Sequence, residues 1–253
     1  MPSLDHAKIQ RFVRSIAPAA AFAAGLVGAG SAYAVPELQL TIPGGSYDTV
    51  TETTIAGGQT FDLYALFDQP KKGDDLSTTF YISFALMLAD GDLVASSPFD
   101  AGSFKFNNTT YNVTSDLTWG TPGALPVHSA FPTWYGVLPF HFSSSDQTTS
   151  FNTQTTTPSS ISGGCTSNCL FFSDFAVDTS LLSSNYLVHF DLFDSAMYGG
   201  DHSGSKAPFS HDAQSLCSTQ GPCTPRRDVP EPATLALMVA GLAGLAATRR
   251  RRR

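Results

Sequence analysis

Short apolar segments separated by turn residues fill the middle of the chain, and their spacing predicts strands. Along residues 186–193, successive side chains fall alternately into two sets, one for each face of a strand. This period of two is typical of a strand. Residues 80–88 are more continuously apolar, which is typical of a strand buried on both faces. No segment between the chain ends shows a sustained apolar stripe with the period of a helix. Shorter apolar runs predict further strands at residues 61–67, 103–106, 111–114, 136–142 and 169–177.

Turn residues between these runs predict how the strands connect. Asp90 and Gly91 separate residues 80–88 from the run 93–95, a pattern that favours a β-hairpin. Many short strands at close intervals predict an all-β fold, a single β-sandwich or jelly-roll-like domain. Residues 146–162 are rich in Ser and Thr and predict a flexible surface loop inside that domain. An O-glycosylated or linker stretch is the alternative interpretation of this segment.

The first 34 residues have the three-part order of a secretory signal peptide. A positively charged start precedes an Ala- and Gly-rich apolar run over residues 16–30, and the small residues Ala32 and Ala34 follow. Signal peptidase requires small residues at two such positions, so we expect cleavage before Val35. A soluble Ala-rich helix is the alternative, but it does not account for this order. The positive charges belong to Lys8, Arg11 and Arg14.

The last 25 residues, 229–253, form a second end segment. Residues 233–248 contain no charged side chain and predict a single transmembrane helix. Such a helix would be about 24 Å long, short of a hydrocarbon core of about 30 Å. Arginines stay on the cytoplasmic side, so the body would lie outside. The segment opens with Val229, Pro230, Glu231 and Pro232 and closes with Arg249, Arg250, Arg251, Arg252 and Arg253.

This order of proline-glutamate-proline, short apolar helix and arginine cluster resembles the PEP-CTERM sorting domain of Gram-negative bacteria. The resemblance implies recognition by exosortase, a membrane-bound cysteine transpeptidase-like enzyme that cuts near the motif. It also implies that the protein is held briefly in the inner membrane and then reaches the cell surface or extracellular matrix. Proteins with this tail typically accompany exopolysaccharide and biofilm production. A permanent membrane anchor is the alternative interpretation.

The body also resembles a family, the choice-of-anchor N proteins, in several short blocks. That family is named for similar bodies joined to different surface-anchoring tails, and it supplies no activity and no catalytic residues. The matching blocks are residues 34–40, 45–48, 51–53, 131–135, 189–192 and 207–213.

Without its two ends the chain keeps a body of roughly 195 residues, 35–228, a length that suits one all-β domain. Eight of the 14 Lys and Arg lie in the end segments, as do two of the 21 Asp and Glu. The body therefore keeps 6 basic and 19 acidic residues and has a formal net charge of −13. Such a surface repels phosphate backbones, so we expect no nucleic-acid partner.

The four cysteines form two close pairs, Cys165 with Cys169 and Cys217 with Cys223. An exported chain meets an oxidising compartment, where such pairs tend to form disulfides. A zinc site is the alternative, but neither pair has the two-residue spacing that is usual for zinc ligands.

Candidate chemistry is sparse along the body. Asp201, His202, His211 and Asp212 form the best cluster of metal-ligating or acid–base groups, but their spacing matches no known metal motif. A polar loop explains them equally well, so no metal site, catalytic residue or cofactor is predicted. The sequence predicts a non-enzymatic surface or matrix protein, associated with exopolysaccharide. The alternatives are a lectin-like module that stacks Trp119 or Trp134 on sugars, and a secreted hydrolase.

Overall fold

Strands carry most of the regular structure in the computed structural model, which describes residues 35–68, 75–89, 92, 94–97, 100–125, 128–198 and 204–216. Apart from strands, these ranges contain two short helices, α1 (Val113–Asp116) and α2 (Ser195–Tyr198), and a 3-10 helix, Phe209–His211. The strands are β1 (Leu38–Thr41), β2 (Ser46–Asp48), β3 (Thr53–Ile55), β4 (Thr60–Phe67), β5 (Phe80–Leu88), β6 (Ser103–Phe106), β7 (Thr109–Asn112), β8 (Thr118–Gly120), β9 (Thr133–Phe140), β10 (Gln147–Thr149), β11 (Cys169–Asp178), β12 (Tyr186–Asp194) and β13 (Asp212–Gln214).

The strands form two sheets. Sheet A has the order β1-β4-β11-β6-β7, and β10 also pairs with β11. Sheet B has the order β2-β3-β13-β12-β5-β9-β8. The β3–β13 pair is parallel, and the other described pairs of strands are antiparallel. Two sheets around a shared apolar core form a β-sandwich.

The core between the sheets is rich in phenylalanine. On β12, Val188, Phe190 and Leu192 point into this core, as the period of two requires. Burying one such side chain contributes about 1.5–3 kcal/mol, so the register of β12 is strongly specified. The phenylalanines with the least exposed side chains in this core are Phe67, Phe80, Phe84, Phe104, Phe106 and Phe190.

A second apolar cluster covers the opposite face of sheet B. Leu125 and Phe131, from the connection that precedes β9, pack there with Phe193 of β12 and Met197 of α2. Side chains on both faces of β12 are therefore buried. Polar side chains on the face of β12 that points away from the phenylalanine-rich core are therefore also buried.

The all-β prediction is confirmed, and residues 80–88 and 103–106 are strands with the predicted bounds. The predicted hairpin after residue 88 is wrong, because β5 pairs with β12 and β9 and residues 94 and 95 lie outside any strand. The strand predicted at 111–114 is displaced, since β7 ends at Asn112 and α1 follows. The Asp116 carboxylate accepts a hydrogen bond of 2.7 Å from the Asn112 amide, which stabilises this turn.

The first part of the segment 146–162 is packed, where a flexible surface loop was expected, and residues 155–162 are partly or fully exposed. It contains β10, and Asn152 and Thr153 are buried. Gln39 of β1 donates to the Phe151 carbonyl (2.8 Å) and accepts from the Thr153 amide (3.1 Å). Buried backbone groups need hydrogen-bond partners, and the Gln39 side chain provides one each for the Phe151 carbonyl and the Thr153 amide.

Cys165 and Cys169 form a disulfide bond, which confirms the first predicted pair. Cys217 and Cys223 lie outside the described residues. So do the predicted signal peptide, including Ala32 and Ala34, and the whole segment 229–253. In the described part of the chain, no helix has the length and apolar character needed to span a bilayer.

Candidate metal centre

Strand β12 contributes two polar side chains to one place in sheet B. His189 and Asp191 are two residues apart, so both lie on the face opposite Val188 and Phe190. Because the cluster around Phe131 covers this face, the two side chains are buried, with 5% and 2% of their residue surfaces exposed.

The neighbouring strands contribute to the same place from either side. On β5, Ser83 lies directly opposite Asp191, and its hydroxyl donates a hydrogen bond of 2.8 Å to Asp191 Oδ2. On β13, the register of His189 with Gln214 and Phe190 with Ala213 continues to Asp212 opposite Asp191. Like charges that face each other across two strands destabilise a sheet, so two ionised carboxylates at this place are costly unless a positive charge compensates them.

The fourth side chain, His128, comes from the connection between β8 and β9. Turn hydrogen bonds place it there, from the His128 amide to the Leu125 carbonyl (3.3 Å) and from the Phe131 amide to the His128 carbonyl (3.2 Å). Its ring stacks on His189 with 4.9 Å between centroids, and the Phe209 ring lies 4.4 Å away. His128 thus closes the cluster above sheet B.

The four side chains converge at ion-pair distances from one another. The Nε2 atoms of His128 and His189 lie 3.5–3.7 Å from carboxylate oxygens of Asp191 and Asp212. These distances exceed the 2.7–3.2 Å of a hydrogen bond between nitrogen and oxygen. Among the described residues, His189 Nε2, Asp191 Oδ1 and both oxygens of Asp212 have no hydrogen-bond partner. Such buried polar atoms are costly.

Burial and the charges of the neighbouring side chains shift the pKa values of His189, Asp191 and Asp212. Burial alone lowers the pKa of His189, but the Asp191 and Asp212 carboxylates outweigh it and raise the pKa to about 10. For Asp191, burial raises the pKa, yet the two neighbouring histidines bring it below the ordinary value. Burial and the charge of Asp191 raise the pKa of Asp212. The protonation states of these buried side chains are therefore coupled through their mutual charges.

Two imidazoles and two carboxylates are ligands that metal ions use in proteins. One ligand atom from each of His128, His189, Asp191 and Asp212 lies within 4.8 Å of all the others. The same side chains could also exchange protons, but the pocket is closed to solvent.

Among the described residues of the predicted cluster, Asp212 belongs to this site and His211 does not. His211 lies next to it in the chain, but its Nε2 atom is 3.2 Å from Asn152 Oδ1. Burial lowers the pKa of His211 to about 4, so this ring is neutral at neutral pH. Asp201 and His202 lie outside the described residues.

Neither His128 nor His189 is predicted as a site residue from the sequence. A signal for His189 exists, because His189 and Asp191 share one face of a predicted strand whose other face is apolar. His128 has no such signal, since its position depends on how the connection before β9 folds back over sheet B.

The two tryptophans, considered above as sugar-stacking residues, pack against each other. Trp119 and Trp134 are paired across β8 and β9, with ring centroids 5.8 Å apart. The Trp134 indole donates to the Ala95 carbonyl (3.0 Å). Both rings are partly buried against the core, which favours a packing role.

Comparison with known proteins identifies the tail. Residues 228–252 match the PEP-CTERM protein-sorting motif. No curated protein and no solved structure matches the chain. The resemblance of the body to choice-of-anchor N proteins has no support from any homologue and stays a prediction. The predicted sorting motif is confirmed, and it implies exosortase-dependent sorting of an exported protein to the cell surface of a Gram-negative bacterium.

Proposed function

We propose that this chain is a non-enzymatic protein of the cell surface or extracellular matrix, cut from the inner membrane by exosortase and associated with exopolysaccharide. The observation that carries the proposal is the sorting motif at residues 228–252. Signal peptidase removes residues 1–34, and the β-sandwich is the part that is delivered.

The charge of the body supports a matrix role. With a formal net charge of −13 over residues 35–228, the body repels nucleic acid and anionic polymers. Neutral or basic polysaccharides, and polymers bridged by cations, are the partners that this surface allows.

Intact mass spectrometry of protein recovered outside the producing cells tests the sorting step. We expect a mature chain that begins at Val35 and lacks residues 235–253. Glu231→Ala should abolish this processing, because it removes the only charge between the body and the arginines. Pro225→Ala, a proline substitution outside the motif, should leave processing unchanged. Recovery of an extracellular form that still carries residues 235–253 would contradict the proposal.

A carbohydrate-binding module is a second candidate, and a surface groove favours it. The groove has a volume of about 530 Å³ and is lined in part by Phe61, Asp62 and Tyr64 of β4 and by Ser160. An aromatic ring beside a carboxylate and hydroxyls can stack on and hydrogen-bond a sugar. We expect Tyr64→Ala to abolish polysaccharide pull-down and Trp134→Ala to preserve it. Equal binding by both variants would reject the groove.

A further inference from the structure

We propose that His128, His189, Asp191 and Asp212 bind one divalent transition-metal ion, with Zn²⁺ the best fit, and that this ion is a structural cross-link. The inference concerns the delivered domain and does not depend on how the protein is sorted. Three observations carry it: the distances, the charge and the kind of ligand.

Four of the six distances between ligand atoms are close to those around a tetrahedral ion. Ligand atoms that lie about 2.0–2.2 Å from a tetrahedral zinc are about 3.3–3.6 Å from one another. The four distances between histidine nitrogens and carboxylate oxygens are 3.5–3.7 Å. The other two separations, between the two histidines and between the two carboxylates, lie within 4.8 Å, and side-chain movement would bring all four atoms into coordination. His189 Nε2, Asp191 Oδ1 and one oxygen of Asp212 would then gain a partner.

A divalent cation would balance the charge of this group. Two ionised carboxylates carry a charge of −2, and two neutral imidazoles add none. A divalent ion makes the buried group neutral, and buried charges are tolerated when they are paired or coordinate a metal.

The ligand types select the metal. Calcium and magnesium prefer sets of oxygen ligands, whereas a pair of imidazoles favours zinc and its neighbours in the first transition row. Four protein ligands leave no open position on a tetrahedral ion, which is typical of structural sites. The side chains of Asp191, Asp212, His189 and His128 have exposures of 2%, 1%, 6% and 8%, so the site is closed to substrates.

The position of the ligands explains what the ion would hold together. Asp191 and His189 belong to β12, Asp212 to β13 and His128 to the connection before β9. The ion therefore joins two strands of sheet B to the segment that covers them. Ser83, which hydrogen-bonds Asp191 Oδ2, fixes the orientation of one ligand from outside, as such partners commonly do.

Metal analysis of the full chain, exported by its host and purified through a tag without histidine, gives the first test. We expect about one zinc per chain by inductively coupled plasma mass spectrometry. Chelation should lower the melting temperature, and added Zn²⁺ should restore it, whereas Ca²⁺ should not. A protein that is purified without metal and whose melting temperature does not respond to Zn²⁺, Co²⁺ or Mn²⁺ would overturn the proposal.

Variants distinguish this site from adventitious binding. His128→Ala removes a ligand and should weaken Zn²⁺ binding by more than about 100-fold. Ser83→Ala removes a residue that only hydrogen-bonds a ligand, and it should weaken binding about 10-fold. His141→Ala is the matched control, because His141 contacts the Thr78 carbonyl away from this cluster, and it should bind normally. Normal binding by His128→Ala would reject the site.

Cobalt substitution keeps the test decisive if His128→Ala fails to fold. Co²⁺ added to the chelated wild-type chain should produce the intense visible absorption of a tetrahedral ion with nitrogen and oxygen ligands. An octahedral spectrum, with weak absorption, would contradict the four-ligand geometry.

Discussion

Gly136 of β9 lies opposite Phe84 of β5, and the aromatic ring occupies the space next to its Cα. A Cβ at this position would overlap the ring of Phe84. That ring is 1% exposed and packs on Phe104, Phe106 and Tyr111, so it has no room to move. The absence of a side chain at Gly136 is therefore a packing requirement.

We expect Gly136→Ala to lower the free energy of unfolding by about 1–3 kcal/mol, the usual effect of overpacking a core. Urea denaturation of the purified protein measures it. Gly163→Ala is the control, since its Cβ would meet only the Gln147 carbonyl at 3.9 Å; this variant should be neutral or slightly stabilised. Equal stability of both variants would show that Phe84 can move.

Gln39 is a second single residue with a measurable role, because its buried side chain satisfies backbone groups of the segment 150–154. Gln39→Ala leaves the Phe151 carbonyl and the Thr153 amide unpaired, which should cost about 1–3 kcal/mol of unfolding free energy. Gln59→Ala is a suitable control, since the backbone carbonyl of Gln59 makes its contact with Thr179. If Gln39→Ala leaves the free energy of unfolding unchanged, water takes the place of the Gln39 side-chain amide as the hydrogen-bond partner.

Among the elements, the connection before β9 is the one that carries His128 over sheet B. Leu125, His128 and Phe131 are held by turn hydrogen bonds and by packing on sheet B, and not by a strand ladder. If a metal ion holds His128, chelation should speed hydrogen exchange at these three amides. Amides of β4 and β11 in sheet A should exchange as before. Uniform acceleration of both regions would instead indicate loss of the whole fold.

The longer strands and β6 could be predicted from sequence, whereas the three-residue strands could not. Residues 186–193 show a period of two because one face of β12 carries Val188, Phe190 and Leu192 and the other carries His189 and Asp191. β2, β3 and β13 have three residues each, too few to show a period. The same limit applies to the site: the pair His189 and Asp191 is visible in the sequence, whereas the approach of His128 and Asp212 depends on tertiary packing.

At the scale of the whole molecule, processing should change the charge of the protein. The precursor has an isoelectric point of about 5.2. Removal of residues 1–34 and 235–253 takes away eight basic residues and one acidic residue, so the mature form should focus at a lower pH. Two-dimensional gels of cell-associated and extracellular protein measure this shift. A mature form that focuses at or above the precursor would mean that the arginine cluster is retained.

Strand β13 lies in the interior of sheet B, between β3 and β12, although it is the last of the described strands along the chain. A chain that emerges from its amino end must therefore export nearly the whole body before this sheet can close. Until then, β3 and β12 present open edges to each other, and edges of that kind invite association with other chains. Export order thus sets a period during which these strand edges can associate with other chains.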